Sequence, residues 1–239
     1  MGRARLVLRL IVAALLPSAL QAAEATVYEL TTEELAPFSM PIGDRVGGLS
    51  TEVVKIAFDR AGLKLETRLY PWLRAYQSAL DKPNSCVYST VRTAERETLF
   101  KWVGPIVHDD WVIFVPEDSP LHPRSLDYLK AYKTASTPGD SLAAFMQENG
   151  IAVEYTPTNG QLQMLVSGRI DFWGTTRARG AYIASRDKVK LRAALTLRKA
   201  DMYLACNRQI SDPVIDSLNR VLKEMEEDGT MRRLEDEYR

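Results

Sequence analysis

An α/β fold is predicted from three observations. Short β-type runs alternate with segments of helical period, the alternation comes in two batches, and the composition suits a folded chain. Of 239 residues, 46% are hydrophobic and 26% charged, which argues against disorder. Thirteen Gly and 12 Pro argue equally against collagen-like or low-complexity sequence. The length fits one large domain or two small ones.

The elements follow in order. Thr26 to Leu30 reads as a strand, followed by a Glu-rich turn through Pro37-Phe38. Val53, Val54, Ile56, Ala57 and Ala61 recur at helical spacing across 49–61, and Gly62 closes that helix. Leu63 to Leu69 alternates like a strand, and Trp72 to Leu80 returns to helical spacing. Cys86 to Val91 is another short strand, and Trp111 to Val115 is an apolar strand. Asp140-Ser141 opens a helix that runs to Gly150, and strand, helix and strand follow at 153–155, 161–166 and 170–173. The closing helix is the clearest. Asp212 is placed at its cap, Pro213 at its first position, and Val214, Leu218, Val221, Leu222 and Met225 form its buried stripe. Gly229 ends it, and Thr230 to Tyr238 adds a further turn or two.

Several chemistries are excluded. Thirty-one basic and 31 acidic residues cancel, so there is no basic footprint for nucleic acid. Two cysteines and two histidines are too few for a zinc framework. No G-x-S-x-G, H-E-x-x-H, P-loop or G-x-G-x-x-G occurs, and Gly139-Asp140-Ser141 lacks the closing glycine of a nucleophile elbow. His108-Asp109-Asp110 reads as a solvated connection, and His122 has no partner at ligand spacing. No metal, cofactor or catalytic residue is expected.

Residues 1–23 read as a cleavable secretory signal. Arg3, Arg5 and Arg9 form a basic start, Leu10 to Leu20 an apolar stretch about half the length of a membrane span, and Ala22-Ala23 a small-residue exit. Its removal leaves 28 basic against 31 acidic residues, a mature charge of −3. Export places the protein in the periplasm, where Cys86 and Cys206 can be either bridged or two buried thiols.

Ser89-Thr90-Val91-Arg92-Thr93-Ala94-Glu95-Arg96, followed by Trp102 and Pro105, resembles the bacterial extracellular solute-binding proteins of family three. Ala36-Pro37-Phe38, Gly48-Leu49-Ser50-Thr51-Glu52, Gly168-Arg169-Ile170-Asp171 and Glu227-Asp228-Gly229-Thr230 match further segments of that family in order. The resemblance implies a two-lobed α/β periplasmic-binding fold of type II, with a two-strand hinge and a ligand cleft between the lobes. It divides the chain into a signal at 1–23, lobe one at 24–108, lobe two at 109–200, and a return to lobe one at 201–239. The strand holding Cys206 would return beside that holding Cys86, which favours the bridge.

By the same resemblance, Arg96 clamps a ligand carboxylate, a task that suits the planar fork of a guanidinium. A surface arginine at a helix start would oppose the helix dipole. Gly139, Asp140 and Ser141 match the loop before a lobe-two helix that meets the same carboxylate. Ser89 and Val91 stand at the strand end facing the ligand, and Trp72 and Phe38 are candidate stacking aromatics. Three departures matter. Val91 offers only its backbone where the family has a hydroxyl, Leu35 replaces an aromatic, and Thr176 replaces the acid that pairs with an α-ammonium. Arg92, Arg177 and Arg179 tilt the ligand toward an anion.

The implied function is a monomeric periplasmic protein that captures an amino acid or other small carboxylate-bearing solute for an inner-membrane ABC permease. The alternatives are a ligand sensor for a receptor or kinase, and a dehydratase-like enzyme on the same fold.

Overall fold

The computed structural model describes residues 26–156 and 160–238, so the expected export signal at 1–23 lies outside the described residues. Among the described residues twelve strands form two five-stranded sheets and a small hairpin, accompanied by eight helices.

The first sheet is built from β1 (Val27–Thr32), β4 (Lys64–Leu69), β5 (Ser85–Val91), β6 (Lys101–Val107) and β12 (Met202–Cys206), in the order β4-β1-β5-β12-β6. β1 runs parallel to β4 and β5, while β12 is antiparallel to both its neighbours. β5 shows why the order works. Every residue of it is buried, and alternate side chains serve opposite faces. Cys86 and Tyr88 enter the layer of α1 (Leu49–Arg60), α7 (Asp212–Glu227) and α8 (Thr230–Glu237). Val87 enters the layer of α2 (Trp72–Asp81) with Ala75 and Ala79. The hairpin of β2 (Met40–Ile42) and β3 (Arg45–Gly47) leads into α1.

The second sheet has the order β11-β7-β10-β8-β9. Its strands are β7 (Asp110–Pro116), β8 (Thr134–Ser136), β9 (Val153–Tyr155), β10 (Phe172–Thr176) and β11 (Leu191–Lys199). β7 alternates as β5 does. Trp111, Ile113 and Val115 pack under α4 (Ser141–Glu148) and the short α3 (Leu126–Leu129). Val112 and Phe114 pack under α5 (Gln161–Val166) and α6 (Arg177–Arg186). Each sheet is therefore covered on both faces, which is the two-lobed layout.

The chain crosses between sheets twice, through His108-Asp109 and through Ala200-Asp201. The crossings are tied to each other. The Ala200 N–H donates to the Asp109 carbonyl at 2.8 Å, and His108 Nδ1 lies 3.0 Å from Asp201 Oδ1. Asp109 departs from its expected solvated role. Its carboxylate is largely enclosed and accepts the N–H of Ala178 at 3.2 Å, so it holds the first turn of α6. Burial raises its pKa, against the opposing pull of those backbone N–H groups.

α7 corrects two expectations. Ser211 is its N-cap and Asp212 its first residue, where it pairs with Lys101 at 2.5 Å. Ile215 rather than Val214 lies in the buried stripe with Leu218, Val221, Leu222 and Met225. Each such side chain contributes about 1.5–3 kcal/mol by leaving water. Cys86 and Cys206 are register partners on β5 and β12 and form a disulfide across a sequence separation of 120. Among the described residues no helix is long and apolar enough to cross a membrane.

Candidate functional site

A narrow cavity lies where the two lobes face each other. Glu33, Leu35, Trp72, Ser89, Val91, Arg96 and Met202 line it from the first lobe. Trp111, Thr137, Asp140, Thr175, Thr176 and Arg179 line it from the second. It encloses about 40 Å³, room for a few waters at the ~10–15 Å³ each requires. A solute of amino-acid size therefore enters only as the lobes part.

The end of β5 builds one wall. Ser89 has φ +59, a left-handed conformation rare for a residue other than glycine, and the strand register with β12 is irregular beside it. The Ser89 hydroxyl is buried in the wall with no hydrogen-bond partner among the described residues. After Val91 the chain runs through consecutive turns at 94–99, so Arg96 does not stand at a helix start. The Trp102 indole N–H pins these turns by donating to the Glu97 carbonyl at 3.2 Å.

Arg96 projects from them, half-buried. Its Nη1 donates to the Val91 carbonyl at 3.2 Å and its Nη2 to the Gly139 carbonyl at 3.4 Å. The guanidinium carbon sits 5.5 Å from the Trp72 ring and 5.3 Å from the Tyr76 ring, a distance at which cation and π face attract. Trp72 also donates its indole N–H to the Gly139 carbonyl, at 3.0 Å. One carbonyl of the second lobe thus receives two donors of the first. Gly139 takes φ +73, and an added Cβ would stand 2.8 Å from Leu73 Cδ2.

Asp140 caps α4, accepting the Leu142 N–H at 3.3 Å, as the sequence predicts for the start of that helix. Its surroundings desolvate the carboxyl and raise its pKa, while the Leu142 N–H and the charge of Arg96 pull the other way. Ser141 lies just outside the cavity and lines an adjoining groove together with Arg96, Gly139 and Asp140.

The three further arginines separate. Arg92 turns outward onto Glu97, with contacts of 2.6 and 2.5 Å. Arg177 reaches Asp110 at 3.3 Å and Thr196 at 2.7 Å on the surface. Arg179 alone enters the cavity wall, only 2% exposed, and crosses the cleft to the Ala36 carbonyl at 3.4 Å. Burial depresses its pKa to about 10, partly offset by the charge of Glu33.

The structure thus gathers Arg96, Ser89, Val91, Trp72, Asp140 and Thr176 around one space, with Gly139 and Ser141 on its rim. Phe38 is a correction. It is fully buried in the first-lobe core and does not reach the cleft, because Gly48 and the Thr51 N–H hold its backbone against the start of α1. Glu33, Trp111, Thr137, Thr175 and Met202 were not anticipated as cavity residues. Glu33 lies just past the end of β1, a position where strand ends meet a ligand crevice in open α/β sheets, and that was its one available signal.

Known proteins resemble this chain in sequence or in fold. The L-cystine-binding protein TcyA of Bacillus subtilis (strain 168) is 23% identical over 193 residues, covering 80% of this chain and 72% of that protein. A histidine kinase sensor domain with similarity to periplasmic binding proteins superposes with a TM-score of 0.81 at 16% identity, covering 90% of this chain and 96% of that one. The GluR0 ligand-binding core from Nostoc punctiforme in complex with L-glutamate does so at 0.78 and 21% identity, covering 88% and 98%. The sequence profile of one family spans both sheets and every cavity residue named above, from residue 30 to residue 239, and the chain belongs to that family, the bacterial extracellular solute-binding proteins, family 3.

Proposed function

We propose that this chain is a periplasmic binding protein that closes on a small carboxylate-bearing solute and delivers it to an ABC permease. Residues 1–23 would be its removed export signal. Residues 24–108 with 201–239 would form one lobe and 109–200 the other. The observation that carries the reading is Arg96, aimed into the cleft opposite the N-terminus of α4. Its long bonds to two backbone carbonyls are weak enough for a carboxylate to displace. A carboxylate held by the forked guanidinium gains charge-assisted bonds of about 1.5–3 kcal/mol each. Capture needs no covalent chemistry. The paired crossings at 108–109 and 200–201 suit a rigid-body closure.

A thermal-shift panel of amino acids, hydroxy acids, dicarboxylates and amines tests this on refolded protein. Saturation at 100 times Kd adds about 2.7 kcal/mol, roughly 5–10 °C for a chain of this size. The shift is expected to vanish in Arg96→Ala and to weaken in Arg96→Lys, whose ammonium cannot fork. A shift that survives Arg96→Ala defeats the carboxylate clamp. Stimulation of a reconstituted permease's ATPase by the loaded protein tests delivery. A sensory role shares the binding step and differs only in the partner, and the likeness to a kinase sensor domain keeps the fold compatible with it.

A further inference from the structure

The acids and hydroxyls around the cleft define what should stand next to the ligand's carboxylate. Three acids lie close enough to matter, and each is engaged. Asp140 accepts from Leu142 N–H as the cap of α4. Asp109 accepts from the N–H groups of Ala178 and Asp110. Glu33 lines the same cavity as the buried Arg179, whose positive charge it offsets. An ammonium group would have to draw one of them away, and it would sit beside two guanidiniums, one of them 2% exposed. Burying a cation in that company without a carboxylate of its own is costly.

The hydroxyls make the opposite offer. Ser89 and Thr176 are 7% and 8% exposed, line the cavity from opposite lobes, and have no hydrogen-bond partner for Oγ and Oγ1 among the described residues. Thr176 stands near enough to Asp109 to act on its carboxyl, yet outside hydrogen-bonding geometry. Buried hydroxyls are satisfied by protein, water or ligand, and of the five without a protein partner among the described residues only Ser89 and Thr176 line the cavity, where an entering solute displaces water. Both can donate to, or accept from, an uncharged oxygen. We propose that the preferred solute carries an uncharged oxygen rather than an ammonium next to its carboxylate, making it a 2-hydroxy or 2-oxo acid received by Ser89 and Thr176.

The inference rests on the carboxylate reading above, and the experiment separates the two. Isothermal titration at neutral pH would compare triplets on one carbon skeleton. Suitable sets are lactate, pyruvate and alanine; 2-hydroxyglutarate, 2-oxoglutarate and glutamate; and phenyllactate, phenylpyruvate and phenylalanine. In the triplet that binds, the oxygen-bearing acids are expected to bind at least tenfold tighter than the amino acid. Ser89→Ala should weaken them five- to tenfold. Thr176→Asp should shift the preference toward the amino acid. An amino acid that binds the unaltered protein as well as its oxygen analogues, and is lost in Arg96→Ala, overturns this inference and leaves the carboxylate clamp standing. If no carboxylate in any triplet binds, the clamp falls and this inference with it. The comparison on the unaltered protein decides the matter even where a variant fails to fold.

Discussion

Replacing Gly139 by alanine separates the energetics of closure from those of folding. Two costs arise, and they act on different states. Gly139 holds φ +73, where an L-residue costs about 1–2 kcal/mol whether the lobes are open or closed. That part appears as lost stability, roughly 2–8 °C in Tm at 2–4 °C per kcal/mol. The second cost belongs to closure alone. The new Cβ would lie 2.8 Å from Leu73 Cδ2 and 3.4 Å from Trp72 Cδ1, both atoms of the opposite lobe. Trp72 is 9% exposed and its indole is bonded to the Gly139 carbonyl, so it has little room to move. Leu73 is 64% exposed and can turn aside at an off-rotamer cost of about 0.5–1.5 kcal/mol. Closure is therefore opposed by about 1 kcal/mol, a fivefold loss of solute affinity. Calorimetric titration of Gly139→Ala, Leu73→Ala and the double variant measures it as a coupling energy. Leu73→Ala should restore most of the affinity lost in Gly139→Ala while leaving its lowered Tm in place. Unchanged affinity in Gly139→Ala, or a loss that Leu73→Ala does not relieve, refutes the closed contact between α2 and the loop before α4.

Other outcomes follow from the same geometry. Paired Cys86→Ser and Cys206→Ser substitutions remove a bridge across a sequence separation of 120, about 4–5 kcal/mol in the chain-entropy account, and should lower Tm by on the order of 10 °C. Phe38→Ala should cost about 3–5 kcal/mol in denaturant unfolding, with solute affinity of the folded fraction retained, whereas Trp72→Ala should weaken binding. For Asp140, burial raises the pKa above its ordinary 3.8, so the native state holds that proton more tightly than the unfolded chain does. Stability from this group is then greatest at low pH and falls as pH rises through the raised value. Asp140→Asn keeps an N-cap and loses the titration, so its Tm relative to the unaltered protein should climb from about pH 4 upward. A difference that stays flat with pH would contradict the raised pKa.

The fold was legible where one strand or helix face dominates burial. β5 and β7 are apolar on both faces because both are covered, and α1 and α7 keep a helical stripe against the first sheet. Other elements are hidden for local reasons. Gly104-Pro105 interrupts β6, yet its carbonyls and N–H groups still meet β12 and Asn219. β8 has three residues and rests on its neighbours' pairing. α6 opens Arg-Ala-Arg-Gly, a poor helical signal, but Gly180 is where Phe114 packs, with room for no Cβ. β11 lies at a sheet edge with two register shifts, which scramble its alternation. In the site, motif order located Arg96 and the α4 cap. Which aromatic faces the cleft, and which arginine is buried there, depends on how the lobes approach each other. Phe38 and Trp72 look alike in sequence, and only packing sends one inward and the other to the cleft.

The most direct measurement is native mass spectrometry of the protein exported to the periplasm and purified without unfolding, beside Arg96→Ala prepared identically. A single retained small molecule, released on denaturation, identified as a carboxylic acid, and missing from Arg96→Ala, is the result this account predicts. A retained molecule without a carboxylate, or one that Arg96→Ala holds equally well, would contradict it.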